Sequence, residues 1–372
     1  MSRIYNVIDA DGHILEPPDL WTKNIEAKFR DQAPRVIVDT DGIDRCLIEG
    51  HKVGHAVQGQ ARTGAINCTH DEVMKMRYID GKKGGFDPHA RIKDMDLDGI
   101  DAAFLYPSLG LLGGVIENPE LAAAVCRTYN HWIAEYAGAY PDRLFGVAML
   151  PMQSVEHAIQ EIKYARNKIG LTAAFLRPNP YNDLLWNDPT YDPFWAVAQD
   201  LDVSIGFHEG TTTGGRHKPV GTERVDGAPA RHICSHAMEM MVTSLNIIWG
   251  GVCERFPKLR FGFLECGGGW MLPWLDRMDR HYNRPQVHGN SDLKMMPSDY
   301  FRRQCWISFE PPERTIADTA EILGANKLLW ATDYPHPDGF FPGAPKTISD
   351  KLPDAIRRQV LAQGAMDFYK LH

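Results

Sequence analysis

The sequence predicts an α/β fold in which eight parallel strands and the helices between them form one (β/α)8 barrel. The prediction rests on short apolar runs, on amphipathic segments between the runs, and on the regular alternation of the two. Short runs rich in β-branched and aromatic residues are typical of strands buried on both faces. Strands that alternate with helices indicate crossover units of a parallel sheet. Eight such strands favour a closed barrel over an open sheet.

Each predicted strand is an apolar run that ends in a polar cluster. The strands span residues 6–11, 102–107, 145–151, 173–178, 203–208, 260–265, 305–310 and 328–333. The helices predicted between them span residues 119–139, 155–168, 192–201, 236–256 and 318–323. The last of these ends at Gly324, because glycine is favoured in the position that follows a helix.

Two stretches interrupt this alternation. Residues 31–90 separate the first two strands by far more than a usual loop of about 2–6 residues. Within them, residues 36–50 predict a hairpin with Asp41 and Gly42 in its turn. Residues 210–231, rich in glycine and threonine, form a long loop after the fifth strand, as in a lid or an oligomer contact. We interpret both stretches as insertions, so residues 1–372 are predicted to form a single domain.

Composition restricts the class of protein. With 44% hydrophobic and 24% charged residues, the chain has the balance of a folded globular protein. A net charge of -8 leaves no basic surplus for phosphates, so no nucleic-acid partner is expected. No apolar run reaches the ~20 residues that span a bilayer, and the first residues do not resemble a signal peptide. Seven scattered cysteines indicate reduced thiols. We therefore expect a cytoplasmic protein without membrane contacts.

Polar residues at the strand ends predict a metal site, because reactive residues of such barrels lie at the carboxyl ends of the strands. Asp11 and His13 are two residues apart and project from the same face of a strand. His208 ends the fifth strand, and Asp333 ends the eighth. Two histidines and two aspartates suit Zn²⁺ or Mn²⁺. Singly, each residue could instead be a core histidine or a helix cap, but four matching strand ends favour the metal.

Several motifs together resemble the amidohydrolase superfamily. They read DADGH, EPPDLW, GFH, GGVCERFPKLRFGFLECGGGW and ATDYPHPDG, and they extend over residues 9–339. The narrower resemblance is to the amidohydrolase-related branch with aminocarboxymuconate-semialdehyde decarboxylase and the resorcylate and carboxyvanillate decarboxylases. It implies a distorted TIM (β/α)8 barrel with one divalent metal ion, Zn²⁺ first and Mn²⁺ as the alternative. It also implies a homodimer or a larger homo-oligomer.

The resemblance assigns the same four metal ligands. Asp11 and His13 match the first-strand motif, in which an acid replaces the first histidine of the superfamily, as in the aromatic decarboxylases. His208 matches the fifth-strand ligand. Asp333 matches the last-strand aspartate, which in the family both binds metal and moves protons.

Two positions depart from the family pattern. The fourth strand ends in Arg177, where binuclear members have a lysine that becomes carboxylated, and this argues against a second metal. The sixth strand reads LECGGG, so it lacks the histidine that handles protons in aminocarboxymuconate-semialdehyde decarboxylase. Glu265 and His236 are the candidates to replace that histidine as catalytic residues, although His236 could also be an ordinary polar residue near a helix start.

Three further residues are candidates for substrate binding. Arg177 could pair bidentately with a substrate carboxylate, or form a salt bridge with Asp183 or Glu209. His336 follows Asp333 in a loop stiffened by two prolines, where substrate contact and loop packing are equally plausible. Glu16 lies three residues beyond His13 and could reach the site, but the better interpretation of its segment is a turn before a short helix.

The sequence therefore predicts an enzyme that acts on a small molecule. The first hypothesis is a metal-dependent carboxy-lyase for a small aromatic or unsaturated carboxylic acid. The alternative is a metal-dependent hydrolase of a C–N, C–O or C–C bond that uses water activated by the metal, since the same residues suit both reactions. A non-catalytic metal-binding protein is the third hypothesis, and four retained ligands argue against it.

Overall fold

The computed structural model describes residues 3–57, 69, 72, 73, 75–209 and 219–372. Its strands are β1 (Ile8–His13), β2 (Arg35–Val38), β3 (Asp44–Ile48), β4 (His51–Ala56), β5 (Ala102–Tyr106), β6 (Leu144–Gly146), β7 (Ala148–Met149), β8 (Ala173–Leu176), β9 (Ser204–Phe207), β10 (Phe261–Phe263), β11 (Cys305–Phe309) and β12 (Leu328–Trp330). Its α-helices are α1 (Leu20–Asn24), α2 (Lys83–Phe86), α3 (Pro88–Asp98), α4 (Pro119–Gly138), α5 (Val155–Tyr164), α6 (Asp192–Asp200), α7 (Ala228–Ile248), α8 (Val252–Arg255), α9 (Met271–Tyr282), α10 (Pro285–His288), α11 (Pro297–Gln304), α12 (Ile316–Leu323), α13 (Ala344–Ser349), α14 (Asp354–Arg358) and α15 (Gly364–Tyr369).

The barrel is built from two parallel sheets. One has the order β1-β5-β6, and the other has the order β7-β8-β9-β10-β11-β12. Only Val147 separates β6 from β7, so these two segments correspond to one predicted strand. The first and last strands approach each other where the His13 N–H donates to the Tyr334 carbonyl over 2.7 Å. Every predicted strand overlaps an observed one, and the prediction of an α/β fold with a parallel barrel is confirmed.

The first strand ends two residues later than predicted, at His13, and the strands before His208, Glu265 and Asp333 end earlier than predicted. His208, Glu265 and Asp333 each lie just beyond the last residue of β9, β10 or β12. Glu265 and Asp333 have positive φ angles, 45° and 52°, which do not fit an extended strand. The polar residues therefore belong to the turns that leave the barrel, while the strands themselves are wholly buried.

One helix prediction was wrong at both ends. The helix expected over residues 236–256 begins earlier, at Ala228, and is interrupted after Ile248 before α8 continues to Arg255. Pro229 lies in its first turn, where the missing N–H of proline has no cost. The break occurs at Gly251, whose φ of 80° is incompatible with a continuous helix. The last residues of the predicted 210–231 loop are consequently helical.

The first insertion contains an antiparallel sheet of order β2-β3-β4. The predicted hairpin is present, and Gly42 has the φ of 82° that its turn requires. Residues 58–68, 70, 71 and 74 of this insertion and residues 210–218 of the predicted lid-like loop lie outside the described residues. The division into one barrel with two insertions stays a prediction. Among the described residues, no helix combines the length and apolar character needed to cross a membrane.

Candidate metal centre

Two of the predicted metal ligands lie on the first strand. Asp11 is 1% exposed, and His13 is fully buried. The pairing of β1 with β5 shifts in register between Asp9 and Gly12, and a bulge of this kind re-aims the side chains of a strand. Asp11 Oδ1 lies 3.9 Å from His13 Nε2. Both side chains therefore point to one place at the carboxyl end of the barrel.

The other two predicted ligands meet them there. His208 Nε2 lies 3.1 Å from His13 Nε2 and 3.6 Å from Asp11 Oδ2. Asp333 Oδ1 lies 3.3 Å from His13 Nε2. The His208 N–H donates to the Leu176 carbonyl over 2.9 Å, which fixes this residue to the end of β8. Four side chains from three separate parts of the chain thus converge at one position.

The donor atoms at this position suit a divalent cation. His13 Nδ1 lies 2.7 Å from the Pro107 carbonyl, and His208 Nδ1 lies 2.6 Å from the Glu209 carbonyl. A carbonyl only accepts, so each ring carries a proton on Nδ1 and presents Nε2 to the site. Asp11 Oδ1 is buried without a hydrogen-bond partner, and Asp333 Oδ1 lies against the imidazole nitrogens of His13 and His336. Two imidazole nitrogens and two carboxylate oxygens form a donor set that fits Zn²⁺ or Mn²⁺.

In the absence of a cation, protons compensate the charges of these ligands. Burial raises the pKa of the Asp11 carboxyl to about 8. Burial opposes a charge on His208, but the carboxylates of Asp11 and Glu265 outweigh it and raise the pKa of this imidazole to about 9. Burial also lowers the pKa of His13 well below its ordinary value. At neutral pH the metal-free site therefore retains at least one proton, held by Asp11 or His208.

We expect metal affinity to increase with pH. Below about pH 8 a cation must displace any proton held by Asp11 or His208, and each displaced proton changes the affinity by about tenfold per pH unit. Above about pH 9 both groups have lost their protons, so the dependence should become weaker, with Asp333 the remaining ligand whose burial favours its protonated form. Titration of the metal-free protein with Mn²⁺ between about pH 6 and pH 9 measures this dependence. An affinity that is constant over this range would contradict it.

Glu265 and His236 border the same position. Glu265 Oε2 lies 2.9 Å from His208 Nε2, and Glu265 Oε1 lies 3.8 Å from His236 Nε2. His236 Nδ1 lies 3.1 Å from the His232 carbonyl, which leaves Nε2 facing the carboxylate. Burial disfavours the ionised form, but His208 and His236 hold the pKa of Glu265 well below its ordinary value. The two candidates named for proton handling therefore lie side by side, with Glu265 ionised.

His336 lies directly against two of the metal ligands. Its ring stacks on the His13 ring at 4.0 Å, and Nδ1 lies 2.9 Å from Asp333 Oδ1. Nε2 lies 2.8 Å from Ser108 Oγ, whose own proton is donated to the Ile14 carbonyl over 2.5 Å. His336 Nε2 must therefore donate to Ser108, and Nδ1 faces Asp333 with a lone pair. A contact this short between Asp333 and His336 is favourable when a proton lies between them.

Glu16 is buried and engaged with backbone groups. Its carboxylate accepts hydrogen bonds from the N–H groups of Ser108, Leu109 and Gly110, at 2.8–3.2 Å for the shortest contact of each. These residues begin the connection after β5. The contacts favour a structural role for Glu16 over direct contact with substrate. In this role, its carboxylate holds the turn that carries Ser108.

Replacement of Glu16 by glutamine should therefore reduce stability. The amide would present N–H groups to backbone donors, and each unsatisfied buried hydrogen bond costs about 1–3 kcal/mol. We expect a lower Tm in thermal unfolding, with KM for the substrate unchanged. An increased KM at unchanged Tm would instead indicate that Glu16 contacts the substrate.

Arg177 lies just beyond β8, beside the site. It is buried, and its guanidinium lies 4.7 Å from the centre of the Tyr181 ring. A side chain at Gly114 would come within 2.5 Å of this guanidinium, so the segment after β5 encloses it. Burial raises the pKa of Glu209 to about 8, and the positive charge of Arg177 acts against this shift. Arg177 can therefore contact a substrate or act as the ionic partner of Glu209. Both interpretations fit its position at this edge of the site.

Several polar residues of the site were not identified from the sequence. Ser108 supports His336, and Asp338 forms a cluster with Glu265 and Asp333 in which one oxygen of each carboxylate lies within 4.8 Å of the others. Asp338 occurs in the PHPDG segment next to a predicted site residue, so proximity along the chain was the available signal. Ser108 has no such signal, since serine after a strand is common in any loop.

Comparison with known proteins places this geometry in a family. A family model described as amidohydrolase matches residues 8–371. A 2-amino-3-carboxymuconate-6-semialdehyde decarboxylase from Dictyostelium discoideum is 25% identical over 317 residues, which cover 83% of this chain and 85% of the relative. A gamma-resorcylate decarboxylase from Rhizobium radiobacter is 26% identical over 263 residues, covering 66% of this chain and 76% of the relative.

Solved structures show the same fold. An amidohydrolase from Mycobacterium avium subsp. paratuberculosis superposes with a TM-score of 0.81 at 21% identity, over 99% of this chain and 100% of the other. A 5-carboxyvanillate decarboxylase from Novosphingobium aromaticivorans, complexed with manganese and 4-hydroxy-3-methoxy-5-nitrobenzoic acid, gives a TM-score of 0.67 at 19% identity, over 99% and 96% of the two chains. The expected resemblance is confirmed. Because the family model matches nearly the whole chain, this enzyme belongs to the amidohydrolase family.

Proposed function

We propose that this protein is a metal-dependent carboxy-lyase that removes CO₂ without oxidation from a small aromatic or unsaturated carboxylic acid. The observation that carries the proposal is the convergence of His13 and His208 Nε2 with carboxylate oxygens of Asp11 and Asp333. Two related enzymes with 25–26% identity are named as decarboxylases of such acids. The four ligands would hold one divalent ion, Zn²⁺ by donor type, with Mn²⁺ supported by the manganese complex of the structural relative.

When bound, the ion would attract the carboxylate and an adjacent oxygen of the substrate and so orient the acid. In the site without the ion, burial and the nearby charge of Glu265 raise the pKa of Asp333 well above its ordinary value, and this tendency to bind a proton would make Asp333 the acid that acts beside the ion. In the reaction the bond between the carboxyl carbon and its neighbour breaks, and the electron pair stays on the neighbouring carbon. The proton of Asp333 then forms the new C–H bond while CO₂ leaves.

The surrounding residues supply that proton and hold the substrate. His336, 2.9 Å from Asp333, would share the transferred proton and restore it for the next cycle. Glu265 remains ionised between His208 and His236, where its charge would favour the protonated form of Asp333, with His236 as the neighbouring candidate for proton handling. Arg177 would pair with an acidic group of the substrate at the edge of the site. Glu16 would act indirectly, through the segment that carries Ser108.

A hydrolase remains the second candidate function. The observation that favours it is Glu265 in place of the sixth-strand histidine, since the negative charge of this carboxylate raises the pKa of Asp333 and so makes Asp333 a better acceptor for a proton from attacking water. In that reaction Asp333 would accept a proton first and donate it to the leaving group afterwards. The same residues would act, with the order of proton transfers reversed.

Release of CO₂ from a panel of hydroxybenzoates by the metal-loaded protein distinguishes the two functions. The carboxy-lyase is supported by stoichiometric CO₂ and the decarboxylated phenol. It is refuted if CO₂ is absent while amides, lactones or diketones are cleaved. His131, an exposed histidine that contacts Tyr164 at 3.0 Å, offers the control variant His131→Ala, which should retain the activity of the parent.

We also propose a cytoplasmic homodimer or larger homo-oligomer. In support, Cys46, Cys126, Cys234, Cys253, Cys266 and Cys305 are free thiols, as in a reducing compartment. Ile233 and Met238 on α7 are 72% and 41% exposed, and exposed apolar side chains of this kind commonly lie in subunit contacts. Light scattering of the purified protein would test the oligomer.

A further inference from the structure

A buried pair of opposite charges lies next to the candidate metal centre, outside the set of ligands. Asp9 on β1 is 1% exposed, and Arg91 on α3 is 2% exposed. Arg91 Nη2 lies 3.9 Å from Asp9 Oδ2. Because the loss of hydration offsets most of the attraction in a buried ion pair, such a pair is weak evidence for stability alone. The contacts of the two residues indicate a more specific role.

The Asp9 carboxylate holds the backbone that leads into Asp333. Its Oδ1 accepts a hydrogen bond from the Thr332 N–H at 3.1 Å, and its Oδ2 accepts one from the Thr332 hydroxyl at 2.5 Å. The next residue, Asp333, has a φ of 52°, in the left-handed region that aspartate enters more readily than most residues. Asp9 therefore fixes the backbone on one side of this turn.

The Arg91 guanidinium contacts Tyr334, on the other side of Asp333, and it also contacts the first strand. Its Nη1 donates to the His13 carbonyl at 2.6 Å. The same guanidinium lies 4.4 Å from the centre of the Tyr334 ring, which directly follows Asp333. The His13 N–H in turn donates to the Tyr334 carbonyl at 2.7 Å. Arg91 thus contacts both a metal ligand on β1 and the neighbour of the ligand after β12.

Gly12 allows this arrangement. A Cβ atom at Gly12 would lie 2.5 Å from Arg91 Nη2 and 2.8 Å from Asp9 Oδ2, closer than real Cβ contacts. Only a residue without a side chain lets the charged pair reach the backbone between Asp11 and His13. The glycine in the DADGH motif is therefore accounted for by the pair rather than by the metal.

We propose that Asp9 and Arg91 are positioning residues that set the separation of Asp11 and His13 on the first strand from Asp333 after the last strand. The inference rests on the metal site proposed above. Both residues would act through the backbone of the ligands, so their loss should weaken metal binding even when the fold persists.

The test is metal affinity in the variants Asp9→Asn and Arg91→Met. Metal-free protein is titrated with Mn²⁺ and followed by electron paramagnetic resonance, without any substrate. Loss of such supporting contacts typically weakens affinity by about 10–100-fold, and we expect this range for both variants. Arg91→Lys, which keeps the charge but cannot make both contacts of the guanidinium, should give an intermediate affinity.

A matched control separates positioning from a general loss of stability. Arg127 and Glu161 form a comparable ion pair, in which the carboxylate of Glu161 is buried. Arg127 Nη2 lies 2.7 Å from Glu161 Oε2, and the pair joins α4 to α5 away from the metal site. Glu161→Gln should lower Tm while Mn²⁺ affinity stays within about twofold of the parent value.

The outcomes distinguish this inference from the metal site itself. If the parent protein binds Mn²⁺ and both Asp9→Asn and Arg91→Met bind it within about twofold of the parent, the positioning role is refuted. If Arg91→Met does not fold, the Mn²⁺ affinity of Asp9→Asn alone tests the positioning role, with the same twofold limit. If the parent binds neither Mn²⁺ nor Zn²⁺, the metal site and the positioning role are both refuted.

Discussion

Replacement of Asp333 by asparagine is expected to lower kcat for CO₂ release by about 10²–10⁴-fold, the usual contribution of a positioned general acid. The asparagine side chain keeps an oxygen near His13 but carries no transferable proton. Because burial raises the pKa of Asp333 well above its ordinary value in the site without the ion, the parent residue has the proton affinity that this role needs. Single-turnover measurement of CO₂ release, with metal content determined on the same sample, tests the prediction.

The control for this variant is Asp354→Asn, because Asp354 lies on α14 with a side chain that is 90% exposed. Its kcat should equal that of the parent. Asp333→Asn protein that retains its metal and releases CO₂ at the parent rate would exclude Asp333 as the proton donor. Loss of metal together with loss of activity would show that Asp333 acts as a ligand, and the role of proton donor would then pass to His336.

Replacement of His13 or of His208 by alanine is expected to remove stoichiometric metal and with it the activity. Each variant loses one of the two imidazole Nε2 atoms, which lie 3.1 Å apart. Changes to supporting residues alone cost metal sites about 10–100-fold in affinity, so loss of a ligand itself should cost at least about 100-fold. Metal analysis after dialysis, and Mn²⁺ titration, measure the effect.

The variant His131→Ala again provides the control, since it removes an exposed imidazole that contacts the Tyr164 hydroxyl. Circular dichroism should show that all three variants retain the fold. His13→Ala and His208→Ala proteins with the metal content and activity of the parent would refute both the carboxy-lyase and the hydrolase, because each needs the ion at this position.

The position of the site was predictable because its signal is local. An apolar run such as residues 203–208 predicts a buried strand, and the histidine at its end has no packing reason to be there. The four ligands could be assigned in this way, since the carboxyl ends of parallel strands meet at one face of a barrel. The same local signal failed for α7, because its first turns lack an apolar pattern and were interpreted as loop.

The ambiguous residues required the structure. His336 could have been a loop residue, but its stacking on His13 at 4.0 Å makes it part of the site. Glu16 could have reached the substrate, but its lone pairs are used by backbone N–H groups after β5. Neither outcome could be derived from the sequence, because both depend on partners more than ninety positions away along the chain.

By itself, the sequence determined the class of fold, the approximate positions of the strands and the identities of the four candidate ligands, since each follows from hydrophobic pattern and residue type within a few positions. Only the tertiary structure decided where the strands end, which ring nitrogens face the candidate metal position, which residue lies 2.9 Å from Asp333, and how Arg91 reaches the His13 carbonyl from 78 positions away. The reason is physical: protonation and ligand spacing depend on burial and on contacts between elements, which a local pattern does not contain.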